Sequence, residues 1–321
     1  MRILVTGAFG QLGRCFKDKV EQFNSKIVAA GCPALTVVYT DKEDLDITQK
    51  INIEHYFRSH EHFDYCLNCA AYTNVNAAEL PENRNSVDKL NIDAPAYLAS
   101  VCNSYNTKFI HISTDYVFGN AFPAVKTEES FENPLNYYGQ TKYEGENKVL
   151  MEFKKGLQGL VVRTAWLYSE YGNNFVKTIM KKLETNIIKV VFDQIGTPTY
   201  AGDLAYSLMM IIADDTVNAA NTGLYHFSNE GVASWYDVAE AIVEFADMEN
   251  YTFVVPVSTS PDEKVKRPQC AVLNKNKFKQ EFHTITPYWR TSLKKVVNKL
   301  LDEKFIDREK IINDIHYDAA N

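Results

Sequence analysis

Long apolar runs, net positive charge and paired cysteine motifs are all scarce in this sequence of 321 residues. No apolar run approaches the roughly 20 residues that a membrane-spanning helix needs, which disfavours a membrane partner. The first ten residues, MRILVTGAFG, indicate a strand and a glycine turn, and they lack the apolar region of a secretory leader. We therefore expect a cytoplasmic protein.

The net charge of −7 disfavours a nucleic-acid backbone as the main partner. An anionic small molecule stays compatible with this charge, because a pocket can be locally basic on an acidic protein. The six cysteines are typical of reduced thiols in a cytosolic protein. Cys66 and Cys69 form one C-x-x-C motif, but no second pair follows at a zinc-like distance, so we interpret them as core thiols.

Apolar runs alternate with segments of helical period along the first half of the chain. The runs are RILVT, TVVYT, YCLNCA, KFIHIST and LVVRTAWLY, at residues 2–6, 36–40, 65–70, 108–114 and 160–168. They are continuous, which is typical of parallel strands that are buried on both faces. We predict an α/β fold, a Rossmann-like doubly wound parallel sheet with a smaller C-terminal α/β substrate lobe.

The alternation changes after about residue 185. We predict a dinucleotide-binding domain over residues 1–168 and a smaller, interleaved substrate-binding lobe over residues 169–321. Segments between about 187 and 230 are candidates for a return to the first domain. Ligands in doubly wound sheets bind beyond the carboxyl ends of the strands, so we expect a cleft there.

A glycine-rich turn follows the first strand, with the spacing Gly7-x-x-Gly10-x-x-Gly13. Glycines at such a turn let the backbone approach a pyrophosphate, and the helix that follows offers its N–H groups. The spacing differs from the usual G-x-G-x-x-G. We assign the turn to cofactor binding, and its predicted residues are Gly7, Phe9, Gly10, Gln11, Leu12 and Gly13.

Asp41 stands at the end of the second predicted strand, where an acid would bind the ribose hydroxyls of the adenosine. Such an acid opposes a 2′-phosphate and favours NADH, although the neighbouring Lys42 could offset it. A plain turn residue is the alternative interpretation of Asp41.

Tyr138 and Lys142 are four residues apart in NYYGQTK, so on a helix their polar ends share one face, which Tyr137 does not. A nearby ammonium favours phenolate and would lower the tyrosine pKa, which suits a tyrosine that transfers a proton. The alternative is a solvated helix face. Ser113, Thr114 and Asp115 end the fourth predicted strand, where they are either ligand contacts or turn residues.

These motifs together resemble the extended short-chain dehydrogenase/reductases and, within them, the dTDP-4-dehydrorhamnose reductases. The residues that carry the resemblance run in family order from residue 3 to about 274: ILVTGAFGQLG, LNCAAYTNVNAAE, STDYVFG, NPLNYYGQTKYEGE, RTAWLYSEYGNNFVKTIM, DQIGTPTYAGDLA, GLYHFSNEGVASWYDVAEAI and RPQCAVLN. The whole superfamily shares the glycine turn and Tyr-x-x-x-Lys, whereas STDYVFG and DQIGTPT are much more specific.

The resemblance implies NADH- or NADPH-dependent reduction of the C4 keto group of a nucleotide sugar. Tyr138 would protonate the C4 oxygen, Thr114 would bind that oxygen, and Lys142 would lower the Tyr138 pKa and bind the nicotinamide ribose. The further cofactor contacts would be Asp46, Ile47, Ala70, Ala71 and Tyr72. The substrate pocket would be lined by Asp115, Tyr116, Trp166, Asn174, Phe175, Gln194 and Arg267, of which Arg267 suits a diphosphate because its guanidinium is a planar fork.

One departure from the family concerns metal. Some members bridge two subunits through magnesium held by glutamates, which would fall near Cys15 and Gly202 here. Neither residue is the oxygen ligand that magnesium prefers, so we predict no metal site. The chain is then expected to be a monomer or a homodimer.

The sequence is compatible with two rival functions. A nucleotide-sugar 4,6-dehydratase or epimerase shares the fold, but such dehydratases carry a second acid directly after the first, where this chain has Tyr116. A regulatory subunit without activity, like the partner of methionine adenosyltransferase, is the other. Intact Thr114, Tyr138 and Lys142 favour an enzyme.

Overall fold

The structure is a computed structural model that describes residues 1–120 and 125–312. Its strands are β1 (Arg2–Thr6), β2 (Thr36–Thr40), β3 (Tyr65–Asn68), β4 (Lys108–Thr114), β5 (Val125–Lys126), β6 (Gly159–Thr164), β7 (Leu167–Tyr168), β8 (Ile187–Val191), β9 (Ile195–Gly196), β10 (Thr199–Tyr200), β11 (Gly223–Phe227), β12 (Ala233–Ser234), β13 (Phe253–Val257) and β14 (Val272–Leu273). Its helices are α1 (Gln11–Ala29), α2 (Lys50–Ser59), α3 (Val75–Ala78), α4 (Arg84–Asp88), α5 (Ala94–Ser104), α6 (Tyr137–Lys154), α7 (Phe175–Lys182), α8 (Ala201–Ala213), α9 (Trp235–Phe245), α10 (Asn276–Phe282) and α11 (Trp289–Asp302).

Six strands form one parallel sheet in the order β11-β6-β4-β3-β1-β2. The order reverses between β1 and β3, because the chain builds outward from β1 on one side and from β3 on the other. A crevice opens at such a reversal, beyond the carboxyl ends of the strands, and ligands of doubly wound sheets bind there. The predicted doubly wound parallel sheet is therefore confirmed.

Both faces of the sheet are covered, which explains the continuous apolar runs. In β1, Ile3 and Val5 pack into one hydrophobic cluster with α1, α8 and α9, whereas Leu4 packs into a second cluster on the opposite face. Side chains alternate between the faces of a strand, so a strand buried on both sides is apolar at every position.

Two of the catalytic candidates, Tyr138 and Lys142, lie on α6, which is anchored by a buried ion pair. Asn136 caps the helix by accepting the backbone N–H of Gly139 at 2.8 Å. Farther along, the Glu146 carboxylate accepts from Arg163 of β6, and neither side chain is exposed. Removing one partner of a buried pair costs about 3–5 kcal/mol, so this pair fixes the helix against the sheet.

Several predicted elements differ from the observed ones. The run at 65–70 ends as a strand at Asn68, and the run at 160–168 divides into β6 and β7, because Trp166 has a positive φ of 48° that a strand cannot contain. Strand β11 joins the main sheet, whereas β8 pairs with β13 in a separate parallel ribbon. The division into two domains stays a prediction, and its residues 121–124 and 313–321 lie outside the described residues.

Within residues 1–120 and 125–312, no helix combines the length and the apolar character that crossing a membrane requires. The cytoplasmic location stays a prediction.

Candidate active site

A cleft of about 900 Å³ opens beyond the carboxyl ends of β4 and β6. A second cavity of about 510 Å³ adjoins it beyond β1 and β2, and the two share Gly10, Cys69 and Ala71. The cavities thus form one continuous site that crosses the reversal point of the sheet.

The structure gathers most of the predicted site residues around these cavities. The cleft is lined by Gly10, Gln11, Leu12, Ala71, Thr114, Asp115, Tyr116, Tyr138, Lys142, Trp166, Asn174, Phe175 and Arg267. The second cavity is lined by Gly7, Gly10, Asp41, Asp46, Ile47, Ala70, Ala71 and Tyr72.

Three predicted site residues do not line either cavity. Phe9 is 59% exposed, and its contribution to the turn is a backbone N–H. Gly13 packs against the turn, where an added Cβ would lie 2.6 Å from the Gly7 carbonyl oxygen. Gln194 is buried away from the cleft, and its side chain donates to the Thr259 hydroxyl at 3.0 Å.

The glycine-rich turn has the shape of a phosphate cradle. Gly7 has a φ of 66°, and a Cβ there would lie 2.6 Å from the backbone nitrogen of Ala70 at the end of β3. Only glycine combines a positive φ with room for this close approach. The absence of a Cβ at Gly7 therefore lets the turn after β1 pack against the segment after β3. The N-terminus of α1 follows directly, so its free N–H groups and partial positive charge face the shared part of the site. The residues present therefore fit a dinucleotide.

Asp41 lines the second cavity at the end of β2. Its carboxylate accepts the backbone N–H of Phe9 at 3.2 Å and that of Lys42 at 2.8 Å. The acid thus ties the glycine turn to the second strand end, and Lys42 lines the same cavity.

Tyr138 and Lys142 both reach the cleft from one face of α6, as the sequence spacing predicts. Lys142 is buried, and its Nζ donates to the carbonyl oxygen of Ile112 at 2.8 Å. Burial lowers the pKa of Lys142 to about 8, while Glu146 acts in the opposite direction.

The expected lowering of the Tyr138 pKa is wrong for this structure. Burial raises the pKa of the Tyr138 phenol above its ordinary value, and the negative charge of Asp115 adds to the rise. Only the Thr114 side chain acts to lower it. Tyr138 is therefore protonated at neutral pH, which is the form that a proton donor needs.

Tyr137 faces away from the cleft. Its hydroxyl donates to the Asp88 carboxylate at 2.6 Å, and the Arg84 guanidinium lies 4.7 Å from its ring centre. The hydrogen bond to Asp88 raises the pKa of Tyr137 to about 12. This phenol is engaged in structural contacts.

Thr114 and Asp115 form a hydrogen-bonded pair at the end of β4. The Thr114 hydroxyl donates to the Asp115 carboxylate at 3.1 Å and accepts the backbone N–H of Tyr116 at 3.3 Å. Burial raises the pKa of Asp115 to about 7. The adjacent Ser113 hydroxyl lines the cleft and is buried, and it has no hydrogen-bond partner among residues 1–120 and 125–312, so it is available to a ligand.

An aromatic wall of Trp166, Phe175 and Trp235 lines the cleft, and the sequence prediction included only part of it. Trp166 and Trp235 stack with ring centres 3.6 Å apart and planes 6° apart, and Phe175 lies 4.4 Å from Trp235. The sequence prediction omits Trp235, because its ring contacts are with Trp166 and Phe175, which are distant along the chain. Arg267 lines the same cleft and donates to the Asn76 side chain at 2.8 Å.

Among residues 1–120 and 125–312, no group of three or more His, Cys, Asp or Glu side chains could hold a metal ion. Cys15 is buried, and Gly202 packs tightly against the Tyr200 ring. The absence of a metal nevertheless stays a prediction.

Comparison with known proteins establishes the family. Residues 1–302 match the family model described as the RmlD substrate binding domain. A dTDP-4-dehydrorhamnose reductase of Aggregatibacter actinomycetemcomitans is 36% identical over 304 residues, which are 92% of this chain and 98% of that protein. The chain belongs to the RmlD family of dTDP-4-dehydrorhamnose reductases. The predicted family resemblance and the predicted oxidoreductase class are thereby confirmed.

Solved structures of reductases in this family share the fold. A dTDP-4-dehydrorhamnose reductase of Clostridium acetobutylicum superposes with a TM-score of 0.82 at 36% identity, covering 94% of this chain and 100% of that one. One of Bacillus anthracis, solved in complex with NADP, gives a TM-score of 0.80 at 32% identity, with coverage of 93% and 99%. The roles of individual site residues stay predictions.

Proposed function

We propose that this chain reduces the C4 keto group of a nucleotide-linked 4-keto-6-deoxy sugar, converting dTDP-4-dehydro-L-rhamnose to dTDP-L-rhamnose with NADH or NADPH. The observation that carries the proposal is the convergence of Thr114, Tyr138 and Lys142 in a cleft that opens into the glycine-turn cavity. A proton donor, a hydroxyl and a cation therefore surround the place where a nicotinamide would enter.

The cofactor would be held along the reversal point of the sheet. Gly7 and Gly10 and the N-terminus of α1 would bind the pyrophosphate, Asp41 the adenosine ribose, and Lys142 the nicotinamide ribose. A reduced nicotinamide supplies the hydride when bound. The B. anthracis relative was solved with NADP, so use of NADPH by this chain is part of the proposal.

The residues of the chain supply the rest of the chemistry. Thr114 turns its single hydroxyl proton from Asp115 to the C4 oxygen when the sugar binds, and Tyr138 gives that oxygen its proton as negative charge develops on it. The Lys142 ammonium stabilises the phenolate that Tyr138 becomes. Burial keeps Tyr138 protonated until that moment, so the proton is present when it is needed.

The remaining contacts would orient the substrate. Arg267 would bind the diphosphate, and Asp115, Tyr116, Asn174 and the Trp166–Phe175 wall would enclose the nucleotide sugar. Gln194 would act indirectly, because its side chain bonds Thr259 instead of facing the cleft.

The test is an assay of the purified protein with dTDP-4-dehydro-L-rhamnose and NADH or NADPH. Loss of the reduced nicotinamide absorbance should match the formation of the reduced sugar by mass spectrometry. A dehydratase or epimerase would change the sugar without net consumption of cofactor, and a regulatory subunit would bind cofactor without oxidising it. Either result would reject the proposal.

A further inference from the structure

A chain of buried polar side chains runs under the cleft from β1 to Lys142. The Thr6 hydroxyl donates to Asn68 Oδ1 at 2.8 Å, Asn68 Nδ2 lies 3.0 Å from His111 Nδ1, and His111 Nε2 lies 3.5 Å from Lys142 Nζ. All four residues are at most 2% exposed. The chain crosses three neighbouring strands and ends on α6.

The orientation of the Asn68 amide is fixed by its neighbours. The backbone N–H of Ala70 points to Asn68 Oδ1 at 3.1 Å, and a backbone N–H can only donate. Oδ1 is therefore the oxygen, and the atom that faces His111 is the amide nitrogen. Because an amide nitrogen only donates, His111 Nδ1 must accept and carries no proton.

The position of the one imidazole proton follows. Burial, and secondarily the charge of Lys142, hold the pKa of His111 well below its ordinary value, so the ring is neutral. A neutral ring carries one N–H, and Nδ1 is excluded. The N–H is therefore on Nε2 and points to Lys142 Nζ.

An N–H donor in that place has opposite effects on the two forms of Lys142. A neutral amine can accept the hydrogen bond through its lone pair, whereas an ammonium has only N–H groups to present. In the part of the chain that the structure describes, the titratable groups that line the cleft with Lys142 include Cys69, Asp115 and Tyr138. Glu146 lies one turn after Lys142 on α6 and is paired with Arg163. Glu146 favours the ammonium, so His111 and Glu146 act in opposite directions.

We infer that His111 is a positioning residue for Lys142: Asn68 fixes its tautomer with the proton on Nε2, and this N–H favours the uncharged amine over the ammonium. The consequence for catalysis rests on the proposed function, in which the Lys142 ammonium binds the nicotinamide ribose and stabilises the phenolate. The row of side chains Thr6, Asn68, His111 and Lys142, here called the relay, then sets the pH above which cofactor binding and turnover decline. The lowered pKa of Lys142, about 8, places that decline near pH 8.

The tautomer itself can be measured in the ligand-free wild-type protein. Nitrogen-15 NMR of labelled histidines distinguishes an N–H on Nε2 from one on Nδ1, and the His111 signals are those that disappear in His111→Leu. We expect the proton on Nε2 from pH 6 to 9. A proton on Nδ1, or a ring that is charged at pH 6, would overturn the inference without any assay of the sugar.

Asn68→Asp tests the link to Lys142 because it reverses the tautomer. The carboxylate still accepts from Thr6 and Ala70, but it now accepts the His111 Nδ1–H, which leaves Nε2 as an acceptor for the ammonium. The basic limb of NADPH binding, followed by nicotinamide fluorescence, should move up by about one pH unit or more. The basic limb of kcat should move with it.

The added negative charge of Asn68→Asp is controlled by making the same change in the His111→Leu background. The negative charge introduced by Asn68→Asp acts on Lys142 through space in both backgrounds, whereas the relay exists only where His111 is present. The upward shift of the basic limb of NADPH binding should therefore be clearly smaller in the His111→Leu background. Equal shifts in both backgrounds would show that charge alone acts and would overturn the inference. If no sugar is reduced, the proposed function fails, while the NMR and NADPH-binding measurements still decide the role of His111.

Discussion

The Gln11 side chain accepts a hydrogen bond from the Asn174 amide at 2.9 Å, which joins the helix after the glycine turn to the helix that carries Phe175. Asn174 also caps α7, because its Oδ1 accepts the backbone N–H of Lys177 at 3.1 Å. The remaining contacts of its amide nitrogen are the carbonyl oxygens of Ser169 and Tyr171. One side chain thus links the helix after the glycine turn to the helix that carries Phe175 of the aromatic wall.

We predict that Asn174→Asp destabilises the protein, although aspartate is as good a helix cap as asparagine. The new oxygen would face three acceptors, on Gln11, Ser169 and Tyr171, so partly buried hydrogen bonds are replaced by repulsion. The cost should be about 1–3 kcal/mol in the free energy of unfolding, measured by urea denaturation.

The control is Asn74→Asp at the cap of α3, where the side chain accepts from Ala77 and lies at the exposed surface. This change should be neutral or slightly stabilising, since a negative charge suits a helix N-terminus. Equal losses at both caps would mean that Asn174 acts only as a cap.

Tyr138→Phe should abolish most of the turnover, while Tyr137→Phe should not. Tyr138 reaches the cleft, whereas the Tyr137 hydroxyl is bonded to Asp88. Loss of a positioned proton donor typically costs about 10²–10⁴-fold in rate, and it should appear in kcat, because the proton moves in the transition state.

Comparing Tyr138→Phe with Tyr137→Phe also separates an effect on catalysis from an effect on folding. Tyr137→Phe removes a hydrogen bond and should lower stability by about 1 kcal/mol with kcat nearly unchanged. If Tyr137→Phe lost the turnover and Tyr138→Phe kept it, the assignment along α6 would be wrong by one residue.

The sequence predicts much of the parallel sheet and of the candidate site, because local and periodic patterns specify them. Continuous apolar runs identified five of the six strands of the main sheet, and the i, i+4 spacing placed Tyr138 and Lys142 on one face. The contacts that the sequence could not reveal join distant segments. Asn68 and His111 meet only because β3 and β4 are neighbours, and Trp235 reaches Trp166 across about 70 residues of chain.

The predictions for Gln194 and for the Tyr138 pKa differ from the structure because both depend on contacts between distant segments. Gln194 lies in the specific DQIGTPT motif, yet its side chain turns to Thr259, so sequence could identify the segment but not the direction of the side chain. The Tyr138 pKa was predicted from one neighbouring charge, whereas burial, which depends on the whole fold, dominates it.

Asp41 should influence the choice between NADH and NADPH. Its carboxylate lies in the second cavity, where it would repel a 2′-phosphate, while Lys42 in the same cavity would attract one. We expect use of NADH, or of both cofactors. Asp41→Asn should raise the kcat/KM ratio of NADPH to NADH by about tenfold, and Lys42→Ala should lower it.

The ratio is measured with both cofactors under one set of conditions, so losses in overall activity cancel. Strict dependence of the wild-type protein on NADPH, with no detectable use of NADH, would contradict the expected preference. A ratio that neither variant changes would place the adenosine ribose away from β2.

Asp115 should make stability depend on pH in a direction opposite to that of a salt-bridged carboxylate. Burial raises its pKa from 3.8 to about 7, so between these values the folded protein holds a proton that the unfolded chain has released. Stability is then lost as pH rises through this window, by up to about 1.4 kcal/mol per pH unit. Asp115→Asn keeps the oxygen that accepts from Thr114 and removes the titration.

The measurement is the free energy of unfolding of both proteins in urea at pH 4, 5.5, 7 and 8. We expect the free energy of unfolding of the variant, minus that of the wild type, to increase as pH rises from about 4 to about 7. Above pH 7 this difference should level off. Other titrating groups are common to both proteins, so they cancel in the difference. A difference that is the same at every pH would show that the Asp115 carboxylate is solvated in the cleft, and its elevated pKa would then be wrong.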